Sequence, residues 1–152
     1  MKKILFIPLL GIILMVTSCR KTNSNAGSWS FEGVNYTAST ASLTDTALAA
    51  ISGSTSNLSS TLIFFFPTQN VRSGTYRVVN YTSLPLDSNQ LYIQFINSTS
   101  FYYFSTGGDS VNAKVTVSSA GKVNVSVPPV YLKSYSAAIS DSGQLTANIT
   151  QQ

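Results

Sequence analysis

Apolar residues at every second position, in short runs separated by turn residues, most constrain what this chain of 152 residues can fold into. The clearest runs are 111–117 and 123–127, with Ala120-Gly121 between them. A period of two places the apolar side chains on one face of a β-strand, and a short Gly-containing connection between two such runs is typical of a hairpin. The pattern predicts a hairpin that builds the core through four valines, Val115, Val117, Val123 and Val125.

Further runs of this kind follow one another from Trp29 to Ile149. Residues 62–66 are continuously apolar, which predicts a central strand covered on both faces. Pro128-Pro129 is expected to break or bend a strand, because proline has no N–H to donate to a sheet. About eight or nine strands at this spacing predict an all-β domain, and the sequence leaves two architectures open: an antiparallel β-sandwich or a small barrel.

Residues 44–51 permit two interpretations. A short helix, capped by Thr44 or Asp45 and ended by Gly53, fits the local signals. A strand fits as well, because four apolar residues share one parity: Leu43, Ala47, Ala49 and Ile51. The strand is favoured, since the rest of the chain has the pattern of a sheet.

The first 18 residues have the order of an export signal. Lys2 and Lys3 provide the positive start, and residues 4–16 form a near-continuous apolar run. A helix of about 13 residues is too short to cross a hydrocarbon core of roughly 30 Å, so the run indicates export rather than a membrane span. The segment that closes it, Val16-Thr17-Ser18-Cys19, resembles the lipobox of bacterial lipoproteins, in which an aliphatic and two small residues precede a cysteine.

The lipobox resemblance implies a lipoprotein. By this resemblance the signal peptide, residues 1–18, is removed, and Cys19 becomes an N-terminus acylated with palmitate. Residues 19–28 are then a flexible tether, and residues 29–152 form a single all-β domain. Arg20 is not the aspartate that retains some lipoproteins at the inner membrane, and no acidic cluster follows it. The resemblance therefore implies an anchor in the cell outer membrane, on its periplasmic side.

The charges of the predicted domain argue against nucleic acid as a partner. The chain has nine Lys and Arg residues, but four of them lie before residue 22. The remaining charges balance: Arg72, Arg77, Lys114, Lys122 and Lys133 stand against Glu32, Asp45, Asp87, Asp109 and Asp141. Nucleic-acid binding depends on clustered cations, so the sequence predicts no nucleic-acid partner and a membrane partner through the N-terminal lipid.

The chain contains no histidine, and its only cysteine is assigned to lipid. These facts remove the commonest general base, the usual zinc ligand and any disulfide within the chain. Two carboxylates meeting in space would suffice for a glycosidase, yet each of the four aspartates has the Ser, Thr, Gly or Asn neighbours typical of turns. Neither Asp87-Ser88-Asn89 nor Asp109 has the dense oxygen spacing of a calcium loop. The sequence predicts a domain that is not an enzyme and has no cofactor or metal.

Tyrosine is the remaining candidate for a site, with eight residues in the chain. A tyrosine on a β-surface can stack on a sugar ring and hydrogen-bond its hydroxyl groups, but strands also favour aromatic residues for packing alone. Phe64, Phe65 and Phe66 are assigned to the core. Both interpretations stay open for the five candidate glycan-stacking residues: Tyr81, Tyr92, Tyr102, Tyr131 and Tyr135.

Two short motifs bear on modification. Asp45-Thr46-Ala47 and Asp109-Ser110-Val111 resemble the three-residue O-glycosylation acceptor of Bacteroidota, in which Ser or Thr follows Asp. The resemblance implies modification at Ser110, beside the expected loop at Gly107-Gly108, and with weaker support at Thr46.

The chain as a whole resembles the small all-β envelope lipoproteins of Bacteroidota. The resemblance rests on the lipobox, on residues 29–36, on Gly74-Thr75-Tyr76 and on Gly121-Lys122-Val123. It implies a β-domain that binds or scaffolds an envelope component, either a glycan or an envelope protein. Two other classes stay open: a fimbrial or adhesin-type subunit, with residues 145–150 as an exchanged donor strand, and a carbohydrate-active enzyme.

Overall fold

The structure, a computed structural model, describes residues 25–53, 59–97, 102–107, 110–134 and 141–152. These residues form ten β-strands and no helix, which confirms the all-β prediction. The strands are β1 (Gly27–Phe31), β2 (Val34–Thr44), β3 (Ala47–Ser52), β4 (Ser60–Phe65), β5 (Gly74–Val78), β6 (Gln90–Ile96), β7 (Tyr102–Ser105), β8 (Asn112–Val117), β9 (Val123–Ser134) and β10 (Ser142–Thr150). The first strand begins at Gly27, so the last two residues of the predicted tether are in the sheet. Within the described residues no helix has the length and apolar character needed to cross a membrane.

All ten strands belong to one sheet with the order β10-β1-β2-β3-β4-β6-β5-β8-β9-β7. Two additional pairings, β10 with β9 and β6 with β7, make the connectivity barrel-like, because the path β10-β1-β2-β3-β4-β6-β7-β9 returns to its start. The sequence predicts an antiparallel sheet, and this prediction is wrong for one pair of strands: β5 runs parallel to β6 at Arg77 and Val78. The parallel pair arises because the 79–89 segment crosses back to the far end of the sheet before β6 begins.

The sheet branches between β6 and β9. One edge of β6 pairs with β5 at residues 90–91 and with β7 at residues 94–96. The facing edge of β9 pairs with β8 at residues 123–126 and with β7 at residues 132–134. The two branches, β7 alone and β5 with β8, therefore fill different halves of the same gap.

Of the two expectations for Pro128-Pro129, a break is wrong, because β9 continues through both prolines, whereas a bend agrees with the bulge found there. Leu145 pairs with Val130 and Ala147 with Val127, so the two prolines lie opposite the single residue Thr146 in a β-bulge. The other edge of β9 has no ladder at this point, since β8 ends its pairing at Ser126. Prolines are tolerated at such a bulge because no N–H is required there.

A single core fills the inside of the sheet. Its largest buried side chains include Trp29, Phe64 and Phe95, which lie on three different strands. Three of the predicted hairpin valines are buried with them, while Val117 is half-buried at the edge of the core. The hairpin is thus confirmed as β8 and β9, but it supplies only one side of a core dominated by aromatic residues elsewhere.

The favoured strand interpretation of residues 44–51 is confirmed, with a two-residue turn at Asp45-Thr46 between β2 and β3. Asp45 has a positive φ of 50°, a conformation that aspartate tolerates better than most residues. The predicted inner face is wrong, however: Leu48 and Ala50 are fully buried, whereas Ile51 is 40% exposed. The alternation of buried and exposed side chains does not continue across the turn, because the residues before and after it belong to two different strands.

The central strand β4 is covered completely on only one face. Leu62 and Phe64 are fully buried and Phe66 follows them into the core, whereas Phe65 is half-buried on the outer face. Assigning Phe65 to the core is therefore wrong. Phe65 stacks on Tyr92 of β6, its cross-strand partner, with ring centroids 4.3 Å apart and nearly parallel planes.

Candidate functional site

The outer mouth of the branch between β6 and β9 forms a groove of about 330 Å³. Three pieces of chain meet there: the segment after β5, the end of β7 and the end of β9. We call it the branch groove, and its lining residues are Asn80, Tyr81, Thr82, Phe104, Ser105, Thr106, Lys133 and Ser134.

The floor of the branch groove is fixed by Ser105, which is 1% exposed. Its Oγ accepts a hydrogen bond from the Ile93 N–H at 3.2 Å and donates one to the Val79 carbonyl oxygen. These two backbone groups lie where the pairing of β6 passes from β5 to β7. A buried hydroxyl thus replaces the missing ladder bonds, and it joins the two branches at their meeting point.

One wall of the groove is the segment after β5, which turns sharply at Asn80. The Asn80 Oδ1 accepts a hydrogen bond from the Thr82 N–H at 3.1 Å, and its carbonyl oxygen accepts one from the Ser83 N–H at 2.9 Å. Gly107 has a φ of 66° and lies against this turn, so that a Cβ there would come within 2.5 Å of the Asn80 nitrogen. A glycine at 107 therefore permits the close approach that shapes the groove.

An aromatic pair joins this wall to the opposite one, which also carries a cation. The rings of Tyr81 and Phe104 have centroids 4.9 Å apart at an angle of 41°, and both side chains are half-buried. Phe104 is the direct cross-strand neighbour of Lys133, whose side chain is exposed. Aromatic and polar groups thus lie side by side over a few ångströms, as they do in many small-ligand sites.

Of the five predicted glycan-stacking tyrosines, the structure places Tyr81 in the branch groove. Tyr92 lies on the outer face of β6 and stacks on Phe65 instead, and burial raises the pKa of its phenol. Tyr131 is 50% exposed on the outer face of β9, outside the lining of the groove. Tyr135 and the side chain of Tyr102 lie outside the described residues.

Sequence reasoning missed the partners of Tyr81. Phe104 is part of an aromatic run, and its parity relative to the buried Tyr103 is the signal that places it outside. Lys133 shows the same signal, since it alternates with Leu132 and Ser134, which face inward. What the sequence does not show is that β7 and β9 are neighbours, since their pairing joins residues about 30 positions apart.

None of the described carboxylates is in the lining of the branch groove, although the Asp141 carbonyl oxygen accepts a hydrogen bond from the N–H of Ser134, a lining residue. Each of these carboxylates has a partner of its own. The Asp87 carboxylate accepts a hydrogen bond from the Gln90 side chain at 2.8 Å, and Asp45 accepts one from Gln69. Glu32 accepts a short hydrogen bond from the Gln144 N–H, and Asp141 accepts one from the Tyr103 hydroxyl at 3.0 Å. No group of three or more acidic, histidine or cysteine side chains could hold a metal ion within the described ranges.

Tyr103 has the most perturbed ionisation among the described residues. Burial, the hydrogen bond to Asp141 and the negative charge of that carboxylate raise its pKa to about 12. Because the ring packs against Phe31 in the core, the phenol stays neutral and acts as a structural donor at one end of the sheet.

The predicted modification sites lie in different settings. Ser110 is exposed immediately before β8, and Thr46 is half-buried in the turn between β2 and β3. Cys19 and Asp109 lie outside the described residues.

No protein family, no curated protein and no solved structure matches this chain.

Proposed function

We propose that this chain is a lipid-anchored protein of the bacterial outer membrane whose β-domain binds a glycan in the branch groove. The observation that carries the proposal is the aromatic pair Tyr81 and Phe104 beside a polar rim. Sugar rings present an apolar face and a polar edge, which match aromatic and polar groups placed side by side. The groove volume of about 330 Å³ is at the lower end of the roughly 300–1,000 Å³ of ligand sites, so a short stretch of glycan fits it.

The composition of the lining favours binding over hydrolysis. Hydrolysis by two carboxylates requires an acidic pair flanking the bond, at separations of about 5 to 10 Å. Among the residues that the structure describes, the lining of the branch groove contains no Asp or Glu, and the described carboxylates have other hydrogen-bond partners. We therefore propose a binding domain rather than a carbohydrate-active enzyme.

A test of glycan binding uses two tyrosine variants on the same outer surface. Tyr81→Ala removes half of the aromatic pair, whereas Tyr131→Ala removes an exposed ring outside the groove. Affinity electrophoresis against a panel of neutral and acidic polysaccharides is expected to show retardation of the wild type. Tyr81→Ala should weaken it roughly tenfold, or about 1.4 kcal/mol, and Tyr131→Ala should leave it unchanged. Equal retardation of both variants, or none for the wild type, would contradict the proposal.

The fimbrial alternative depends on an exchangeable strand at residues 145–150. In this structure β10 pairs along both edges within its own chain, with β1 on one side and β9 on the other. The arrangement offers nothing that favours an exchange with a second subunit, so we keep glycan binding as the single proposal.

The anchor and the modification are tested separately from binding. Labelled palmitate should enter the wild-type protein and not Cys19→Ala, which should no longer fractionate with membranes. If protease added to intact cells digests the protein, the periplasmic side is wrong. For Ser110, the intact mass from the native host should exceed the sequence mass by hexose units, and Ser110→Ala should remove them; Thr46→Ala tests the second position in the same way.

A further inference from the structure

Lys133 gives the branch groove a positive charge that the described part of the chain does not neutralise. Its backbone pairs with Phe104 and Ser142, while its side chain is exposed on the outer face of β9. Within the described ranges the Lys133 ammonium has no ion-pair partner, and the nearest acidic residue along the sheet, Asp141, directs its carboxylate to the Tyr103 hydroxyl. The charge is therefore available to a ligand.

The rest of the polar lining consists of donors or of groups that can donate. The Asn80 Oδ1 already accepts the Thr82 N–H, and the amide keeps its Nδ2 as a donor. Thr82 and Thr106 contribute hydroxyl groups, and none of the described lining residues carries a carboxylate. One cation with amide and hydroxyl donors, and no anion among the described lining residues, is a combination that favours an anionic group.

The position of Lys133 relative to the aromatic pair defines how such a ligand would lie. Lys133 and Phe104 are direct cross-strand neighbours, so their Cβ atoms stand about 5 Å apart on the same face. A sugar ring against Tyr81 and Phe104 would thus hold a substituent within reach of the Lys133 ammonium, at the end of a four-carbon stem. The arrangement matches an acidic sugar, with the ring and the anionic group of the same residue bound together.

We propose that the branch groove selects acidic glycans, with the carboxylate or sulfate of one sugar bound to Lys133. This inference rests on the proposed glycan-binding function and adds the class of ligand to it. A carboxylate and a sulfate offer the same chemistry to an ammonium group, and the choice of probes separates them.

The experiment uses two matched pairs of polysaccharides with the full-length protein. Polygalacturonate and its fully methyl-esterified form differ in the carboxylate, and carrageenan and its chemically desulfated form differ in the sulfate. Wild-type protein should be retarded at least tenfold more strongly by the acidic member of one pair, and the difference should shrink as salt is raised. The pair that shows the difference identifies the anionic group.

The variants separate this inference from glycan binding itself. Lys133→Gln should lose the preference for the acidic member, Lys133→Arg should keep most of it, and Lys114→Gln controls for net charge on the neighbouring outer face of β8. If Lys114→Gln loses as much as Lys133→Gln, the attraction is unspecific and the inference is wrong. If Tyr81→Ala abolishes binding while the wild type binds the neutral and acidic members alike, glycan binding is supported and the selection of acidic glycans is wrong. If neither acidic polysaccharide retards the wild type, the selection is likewise overturned, whatever the neutral glycans of the first panel show.

Discussion

The two sides of the sheet are built according to different rules. On the continuous side, strands β10, β1, β2, β3 and β4 follow one another with a single neighbour on each edge. On the branched side, β6 and β9 each change partner along one edge, and β5, β7 and β8 fill the gap between them. The continuous side carries much of the buried aromatic core, while the branch groove lies where the ladder changes partner.

The difference shows where a sheet of this kind can hold a site. Two hairpins of the continuous side, β1–β2 and β2–β3, are closed by two-residue turns at Glu32-Gly33 and Asp45-Thr46, and positive φ at Glu32, Gly33 and Asp45 suits such turns. The branched side is instead connected by longer segments, such as residues 79–89, whose polar groups find partners outside any ladder. A site therefore forms where side chains, rather than ladder bonds, complete the sheet.

The largest expected effect breaks the continuous side. Ala50→Asp places an unpaired charge at a fully buried position and should cost about 3–5 kcal/mol, enough to unfold a domain of ordinary stability. Ile51→Asp, one residue later and 40% exposed, should cost well under 1 kcal/mol. Urea denaturation measures both. Similar midpoints for the two variants would mean that the inner face of β3 is misassigned.

A smaller effect should break the branched side and leave the continuous side intact. Gly107→Ala combines a strained φ of 66° with a contact of 2.5 Å to the Asn80 nitrogen, and should cost about 2 kcal/mol. Gly121→Ala shares the positive φ of 76° but has open space around the new Cβ, so it isolates the strain from the contact. Glycan retardation should fall for Gly107→Ala only. Equal binding and stability for the two variants would show that the close approach at Asn80 is unimportant.

Tyr103 joins the two sides, since it lies on β7 and packs against Phe31 of β1. Its pKa of about 12 in the folded protein exceeds the ordinary value of 10, so its contribution is fully present below pH 10 and is lost as the pH rises through 12. Tyr103→Phe should lower stability by about 1–2 kcal/mol at neutral pH, because the hydrogen bond to Asp141 is lost. The variant should also show a smaller fall in the free energy of unfolding between pH 10 and 12, as measured by urea denaturation at several pH values in this range. An unchanged alkaline slope would mean that other tyrosines cause the fall.

The smallest effect concerns the outer face of β9. The Asn124 side-chain amide donates hydrogen bonds to the Asn148 Oδ1 at 3.1 Å and to the Thr150 Oγ1 at 2.8 Å. Asn124→Asp replaces this donor by an acceptor next to another acceptor, and should cost about 0.5–1 kcal/mol because the site is partly hydrated. Ser126→Asp, exposed on the same face, serves as the control and should be nearly neutral. Val125→Asp would place a charge at the fully buried neighbouring position and should cost several kcal/mol. A loss of that size for Asn124→Asp would refute the register of β9.

Local pattern was enough to predict most strands, because the alternation of apolar and polar residues can be seen in neighbouring positions of the sequence. The hairpin at 111–127 and the final strand, which includes residues 145–150, follow from it directly. The branching of the sheet could not be predicted from local pattern. The parallel pair at Arg77 and Val78 depends on the path of the 79–89 segment, which alternation within the strands does not determine. For Pro128-Pro129 the sequence left a break and a bend open: a proline breaks a strand only when its N–H is needed in the ladder, and the bulge in β9 removes that need.

The candidate site was predictable to a similar extent. Tyr81 was identified from its residue type, as one of five tyrosines that could stack on a sugar ring. Phe104 and Lys133 were not identified, because their role depends on their being neighbours across two strands rather than on their own sequence context. Tyr92 lies outside the branch groove, and its ring stacks on that of its cross-strand partner Phe65.

The pairing of β1 with β10 sets a condition on how the protein is made. Gly27 lies opposite Ile149, and Phe31 opposite Leu145. The first strand therefore pairs with the last one, and most of the domain lies between them in the sequence. Contacts that are so distant in sequence close slowly, because the intervening chain must be ordered first. A chain delivered from its N-terminus, whether by the ribosome or by an export channel, therefore cannot complete this sheet until residues 145–149 have emerged.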